Sequence, residues 1–230
     1  MILLLRRWLA LCLLGAVLLQ LFFVGRVALL GVVDPGSTAV QRSQLWQLTR
    51  QGPLRWHQQW RPLHQISPEL QRAVLASEDD GFVTHAGADW AAIRKAWQRN
   101  QRSAGQAGPI YGGSTVTQQL AKNLLLSGER SFLRKGQELM LALTMEQLLG
   151  KRRIFELYLN QVEWGHGVFG AEAAARHYFR KSASQLSAWE SARLAVMLPN
   201  PRQFEQQPQS DYLNRRSASI LARMHRTQLP

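Results

Sequence analysis

Apolar residues follow one another almost without a break from residue 8 to residue 25, "WLALCLLGAVLLQLFFVG", where Gln20 is the one polar side chain. The run resumes after Arg26 as "VALLGVV" and so exceeds the roughly 20 residues that cross a bilayer, which predicts a membrane-spanning helix. Beyond it the pattern shortens to helical periods. Ser67 and Pro68 open a helix with Leu70, Val74 and Leu75 on one face, and residues 88–98 carry Trp90, Ile93 and Trp97. Ser114 opens a helix bearing Val116, Leu120 and Leu124; residues 131–149 repeat apolar positions at Leu133, Met140, Leu141 and Leu148, and Gly150 closes that helix. "KRRIFELYLN", "FGAEAAARHYF", "SAWESARLAVML" with a capping box from Ser187 to Glu190, and Asp211 to about His225 complete the series. Strict alternation is missing, so a mostly α fold is expected. "DPGST" at residues 34–38 reads as a turn-prone linker and "NQRSAGQAGPIYGG" at residues 100–113 as a loop. The resulting organisation is an N-terminus and anchor over 1–33, a linker and membrane-proximal segment over 34–61, and one folded domain over 62–230.

Composition changes this picture in three ways. With 230 residues, 46% of them hydrophobic, and 8 Trp and 8 Phe, the chain can bury a real core. Arg6 and Arg7 precede the apolar run, so the positive-inside rule puts the N-terminus in the cytoplasm and the domain on the far side. The competing reading, a cleaved signal peptide, lacks an A-x-A site after the run. Cys12 is the sole cysteine and sits in the anchor; "LALC" is a poor lipoprotein site because Leu11 precedes it and the apolar run continues. The exported domain therefore has no disulfide and no thiol nucleophile. Finally, the net charge is +13, with only Lys95, Lys122, Lys135, Lys151 and Lys181 as lysines among 28 cations. Such a balance fits nucleic acid, an anionic membrane or an anionic substrate equally, and a solvated basic face as well. Topology disfavours the first.

Against that basic background "AVLASEDDGFVTHAG" crowds Glu78, Asp79 and Asp80 at the end of an apolar helix. The negative end of the helix dipole and two neighbouring acids disfavour ionisation of Glu78, raising its pKa toward the range useful to a general base. Gly81 is expected to take the left-handed turn that ends the helix. A solvated acidic cap explains the same letters. In "YGGSTVTQQLAKNLLLSGER" two glycines lead into Ser114 and Thr115 at a helix start suited to anions, and Thr115, Gln118 and Lys122 share a helical face, with Arg130 in the next loop. A solvated polar stripe is the plain alternative. In "RKGQE", Arg134 and Glu138 are i and i+4, the spacing of an ordinary surface ion pair.

In this order the segments resemble one family, the peptidoglycan glycosyltransferases that polymerise lipid II, either as monofunctional enzymes or as the N-terminal domain of bifunctional penicillin-binding proteins. "EDDGFVTHAG" fits E-D-x-x-F-x-x-H-x-G, "GGSTVTQQLAKN" the second motif, "RKGQE" R-K-x-x-E, and "KRRIFELYLN" K-x-x-I-L-E-x-Y-L-N with Phe155 for leucine. The resemblance runs from about Pro62 to Pro199. It implies an all-α, lysozyme-like larger lobe with a small mobile jaw near the membrane. It implies Glu78 as general base and Glu138 as a second essential glutamate that orients cations or helps hold a divalent ion. Lys122, Arg130, Arg134 and Lys135 would stabilise pyrophosphate; Ser114, Thr115, Gln118 and Gln119, with Tyr178, would bind sugar and phosphate groups. His85, Glu156, Tyr158 and Asn160 read as structural.

The same resemblance leaves room for a divalent cation, Mg or Mn, and implies no organic cofactor. Its partners would be lipid II and the growing lipid-linked glycan chain, the membrane and other cell-wall synthesis proteins, with no nucleic acid. The location would be the bacterial inner membrane, single-pass, with the catalytic domain periplasmic. Moenomycin, a phosphoglycolipid resembling the donor, inhibits this family. No Ser-x-x-Lys or Lys-Thr-Gly occurs, so a monofunctional enzyme is expected. A lytic, lysozyme-like hydrolase and a membrane-tethered scaffold are the rival readings.

Overall fold

The computed structural model describes residues 1–50, 56–103, 112–126 and 131–230. Its first helix, α1 (Ile2–Leu29), has 28 residues and hence a length of about 42 Å, enough to cross the roughly 30 Å hydrocarbon core of a bilayer. Nearly all of it is exposed, whereas Val27 and Leu30 at its end are buried against the domain. Three polar contacts fix that junction. Arg153 donates from Nε to the Leu30 carbonyl (2.8 Å) and from Nη2 to that of Val33 (3.1 Å), and pairs with Asp34 (2.8 Å), so a cation satisfies the negative end of α1. Nearer the start of the helix, Gln20 and Gln137 exchange two amide hydrogen bonds, 2.9 and 3.1 Å, which pairs the one polar side chain of the apolar run.

Gln137 belongs to α6 (Phe132–Leu148), which Ser131 caps by accepting the Arg134 N–H. The helix is where the apolar period puts it, but of its stripe only Leu141 is core. Leu133, Met140 and Leu148 are exposed, and the buried positions are Glu138, Leu141, Ala142 and Met145. α4 (Trp90–Arg102), capped by Asp89, likewise buries nothing, and Trp90 and Trp97 lie outside.

The core is built around α3 (Pro68–Glu78). Ser67 accepts the Glu69 N–H and Pro68 occupies the first helical position, as the sequence indicates. Leu70, Ala73, Val74, Leu75 and Ala76 are buried, with α9 (Ala188–Met197) and α11 (Asp211–Arg223) packed on the helix. α5 (Val116–Leu125) packs on α6 and on α7 (Gly150–Gln161). Phe82, just after α3, meets Phe155 of α7 with ring centroids 5.7 Å apart, so the residue that departs from the family's leucine is a buried partner of the acidic segment. α8 (Ala171–Phe179) and α10 (Pro201–Gln206) complete the helices, together with α2 (Ala39–Arg50) in the stretch read as linker.

A three-stranded sheet escapes the periodic reading. β1 (His57–Gln58), β2 (Glu163–Gly165) and β3 (Val168–Phe169) stand in the order β1-β3-β2, with His57 opposite Val168 in a parallel pair and β2 antiparallel to β3. Strands of two or three residues, one of them buried on both faces, carry no alternation to detect.

The glycine expectation needs correcting. Gly81 has no positive φ; α3 ends on an extended Asp79 at φ −164°. The left-handed residue of the acidic loop is Gly87, at φ +85°, where a Cβ would come within 3.2 Å of the Ala142 backbone, so both conformation and space require glycine there.

Candidate active site

Glu78 is the last residue of α3 and is partly exposed to a cleft of about 450 Å³. One wall comes from α5 and the residue before its cap, with Ser114, Gln119, Lys122 and Asn123; another comes from Gln161, Val162, Glu163 and Phe169. The start of α2 adds Thr38, Val40 and Gln41, so part of the predicted linker is docked on the cleft. Gln161 holds it there by donating to the Pro35 carbonyl at 2.8 Å.

Burial raises the pKa of Glu78, and this outweighs the Gln119 and Ser77 hydrogen bonds and the charge of Arg216, which pull it down; the Asp79 charge adds the smallest upward push. The expected direction is right; of the two neighbouring acids only Asp79 contributes, and burial, which the letters do not show, is the larger cause. Asp80 is turned away: its Oδ1 accepts the Thr227 hydroxyl at 2.7 Å, tying the C-terminal tail to the end of α3. Asp80→Asn is therefore expected to leave the acid limb of the pH–rate profile unmoved, whereas a limb that drops would restore Asp80 as a like-charge neighbour of Glu78.

The residues after Glu78 are fixed by an ionic lattice. Asp79 Oδ2 accepts the Val116 N–H at 2.9 Å, a carboxylate on the N-terminus of α5. His85 Nε2 lies 2.9 Å from Asp79 Oδ1. Lys151 donates to the His85 carbonyl (2.6 Å) and to Glu146 (2.8 Å), and lies 4.3 Å from the Phe82 ring centroid; Thr117 donates to the same Glu146 oxygen at 2.6 Å. With these contacts Asp79, Phe82 and His85 of the first motif hold the loop, while Glu78 meets the cleft.

Thr115 and Gln118 do not line the cleft. Both are buried in a reciprocal capping box, and Thr115 also donates to the Gly87 carbonyl at 2.6 Å. The stripe read as one polar face is thus a cap at Thr115 and Gln118 and a cleft wall at Lys122, with Gln119, outside that stripe, also lining the cleft. Gln119 Nε2 donates to Glu78 Oε2 at 3.0 Å. Ser114 Oγ accepts from Lys135 Nζ at 3.0 Å. Glu138, almost wholly buried, takes Arg134 on Oε2 at 3.2 Å and Lys135 on Oε1, so the i, i+4 pair is one arm of a fork, not a surface pair. Tyr178 is elsewhere: its hydroxyl donates to the Trp164 carbonyl at 2.8 Å behind β2, and burial, then the charges of Glu205 and Glu163, hold it protonated. Arg130 lies outside the described residues.

A divalent ion finds no ready cage. Both Glu138 oxygens are taken by cations, and among the described residues no three His, Cys, Asp or Glu side chains gather as ligands. Asn123, Gln161 and Glu163 are cleft residues that no expectation from the sequence includes. Glu163 stands three residues after the fourth motif, and nothing local marks it as sharing a cleft with Glu78.

Residues 47–225 match the family described as Transglycosylase. A biosynthetic peptidoglycan transglycosylase of Bordetella pertussis (strain Tohama I) is 52% identical over 217 residues, covering 94% of this chain and 90% of that protein. Proteins of the same name from Burkholderia lata and Burkholderia thailandensis are 52% and 51% identical over 212 residues, 92% of this chain and 85% and 82% of theirs. With the acidic helix end, the capped α5 and the Glu138 fork all falling inside the matched span, the chain belongs to the transglycosylase family.

Proposed function

We propose that this transglycosylase polymerises lipid II into uncross-linked β-1,4 glycan strands of peptidoglycan, with release of undecaprenyl pyrophosphate. The observation that carries the reading is a glutamate of raised pKa opening on the same cleft as Lys122. Glu78 takes the proton of the 4-hydroxyl of the lipid II N-acetylglucosamine, and that oxygen attacks C1 of the MurNAc at the end of the growing chain. The C1–O bond to the lipid pyrophosphate breaks with inversion from α to β, one carboxylate serving as base on a sugar hydroxyl where an inverting hydrolase would use water. Because the departing oxygen belongs to a pyrophosphate, stabilising its charge matters more than protonating it. Lys122, which lines the cleft, would supply this, together with Lys135, which Glu138 holds and which reaches the cleft wall at Ser114; Arg134 is held by the same glutamate. Arg130 remains a candidate of the same kind on its motif alone.

The chain has one N-terminal helix long and apolar enough to span a membrane. We place it in the bacterial inner membrane with Arg6 and Arg7 cytoplasmic and the catalytic domain periplasmic, where a lipid-linked substrate would reach the cleft from the bilayer. Other cell-wall synthesis proteins are the partners this location favours.

The test is Lys122→Ala in a lipid II polymerisation assay. Turnover should fall about 100-fold or more, as for loss of one donor to a developing anion, and moenomycin should bind more weakly, while the melting temperature changes little. Turnover and inhibition equal to the parent's would make the residue part of a solvated face.

A further inference from the structure

The carboxamide bonded to Glu78 is itself held from behind. Gln119 spends its NH₂ on Glu78 Oε2, and its carbonyl oxygen accepts the hydroxyl of Tyr158 at 3.0 Å. Tyr158 projects from α7 and is 1% exposed, so its hydroxyl has no bulk water as an alternative partner. The three side chains form a line across α7, α5 and the end of α3. Each end of the Gln119 carboxamide is thus engaged once, which leaves one N–H and one oxygen lone pair for the cleft that it lines.

A carboxamide has two ends of opposite character, and its rotation by half a turn exchanges donor for acceptor. With its NH₂ toward Glu78 it stabilises a carboxylate; with its oxygen there it repels a carboxylate and accepts from a carboxylic acid. A phenol that must donate permits only the first, because the rotated amide would leave the Tyr158 proton buried and unpaired. Tyr158 stays a phenol: burial, then the charges of Glu78 and Asp79, push its ionisation well above the ordinary range.

We propose that Tyr158 is a positioning residue whose hydroxyl fixes which end of Gln119 meets Glu78, keeping the catalytic carboxylate in its proton-accepting form. The proposal rests on the reading of Glu78 as general base and adds to it a residue that never touches substrate. It also revises the expectation that Tyr158 is only structural. The charged and titratable groups that face Glu78 or share its cleft are Asp79 beside it, Lys122 of α5, Tyr158 of α7, Glu163 of β2 and Arg216 of α11. Tyr158 reaches Glu78 through the Gln119 carboxamide, so loss of its hydroxyl should act along that line and leave the other groups in place.

The experiment is the pH dependence of kcat for full-length Tyr158→Phe with lipid II. The ring and its packing are kept and only the hydroxyl goes. The acid limb should move upward by roughly one pH unit, the scale of one lost charge-assisted hydrogen bond, with turnover returning to within a few-fold of the parent well above the limb. In a Gln119→Met background the same substitution should move the limb no further, since the link is already cut. A limb that stays where the parent has it, with turnover lowered equally at every pH, overturns the proposal and leaves a packing role. If Tyr158→Phe fails to fold, Gln119→Met cuts the line from the other side, and an unmoved limb there overturns it equally. Failure of the underlying reading looks different: Glu78→Gln would then retain turnover, whatever Tyr158 does.

Discussion

Glu78→Gln is expected to polymerise lipid II at least about 100-fold more slowly than the parent, the loss typical of removing a general base, while keeping its fold. The amide matches the carboxylate in size and can still meet Gln119 and Ser77, so packing is preserved and only proton acceptance goes. The parent's activity should need Glu78 ionised, and because burial raises its pKa the acid limb should lie above the ordinary glutamate range near 4.3.

The raised pKa of Glu78 also bears on stability, with a definite sign. A carboxyl whose pKa is higher folded than unfolded binds more protons in the folded state, so its contribution is present below the unfolded value and lost as pH rises through the folded one. At neutral pH the ionised Glu78 therefore weighs against the fold. Glu78→Gln should melt at or above the parent's temperature at pH 7, with the difference vanishing toward pH 4. Thermal melting across that window checks the claim, and a variant less stable at pH 7 would contradict it.

The second large effect is expected at Glu138. Glu138→Gln removes the charge that aims Arg134 and Lys135 but keeps the side chain's shape. If Arg134 and Lys135 serve the leaving pyrophosphate as proposed, turnover should fall on the order of 100-fold, because both lose the carboxylate that holds them. Stability should fall by only about 1–2 kcal/mol, since Lys135 is about half exposed and solvent screens much of the pair. The two readouts separate the roles: a purely structural Glu138 would lower the melting temperature and leave the turnover of the folded fraction intact.

Much of this site is visible in the letters because its parts are local. Ser67-Pro68, Ser131 and Ser187 each announce a helix start that depends on neighbouring residues only, and all three are realised. Glu78 at a helix end and Glu138 one turn after Arg134 are likewise set by spacing along one element. What the letters hide depends on contacts made far along the chain. That Gln119 is tied to Tyr158, that Asp80 is spent on Thr227, and that Tyr178 serves Trp164 are pairings 39, 147 and 14 residues apart. That Leu133, Met140 and Leu148 of α6 lie exposed is hidden for a related reason. Periodicity reports a one-sided helix, and cannot say whether that side meets a core or lies outside it. The docking of residues 38–41 on the cleft is hidden too, because a Pro-Gly turn at residues 35–36 looks the same whether the next residues are tethered or loose.

The most direct test is to give the purified full-length protein lipid II and, separately, finished glycan strands, and to measure both the glycan product and the released lipid pyrophosphate. Lipid II should be converted into long uncross-linked β-1,4 strands, with one undecaprenyl pyrophosphate freed per disaccharide added, and the finished strands should remain intact. Cleavage of the finished strands with no polymer made from lipid II would contradict the account and assign Glu78 to a hydrolase.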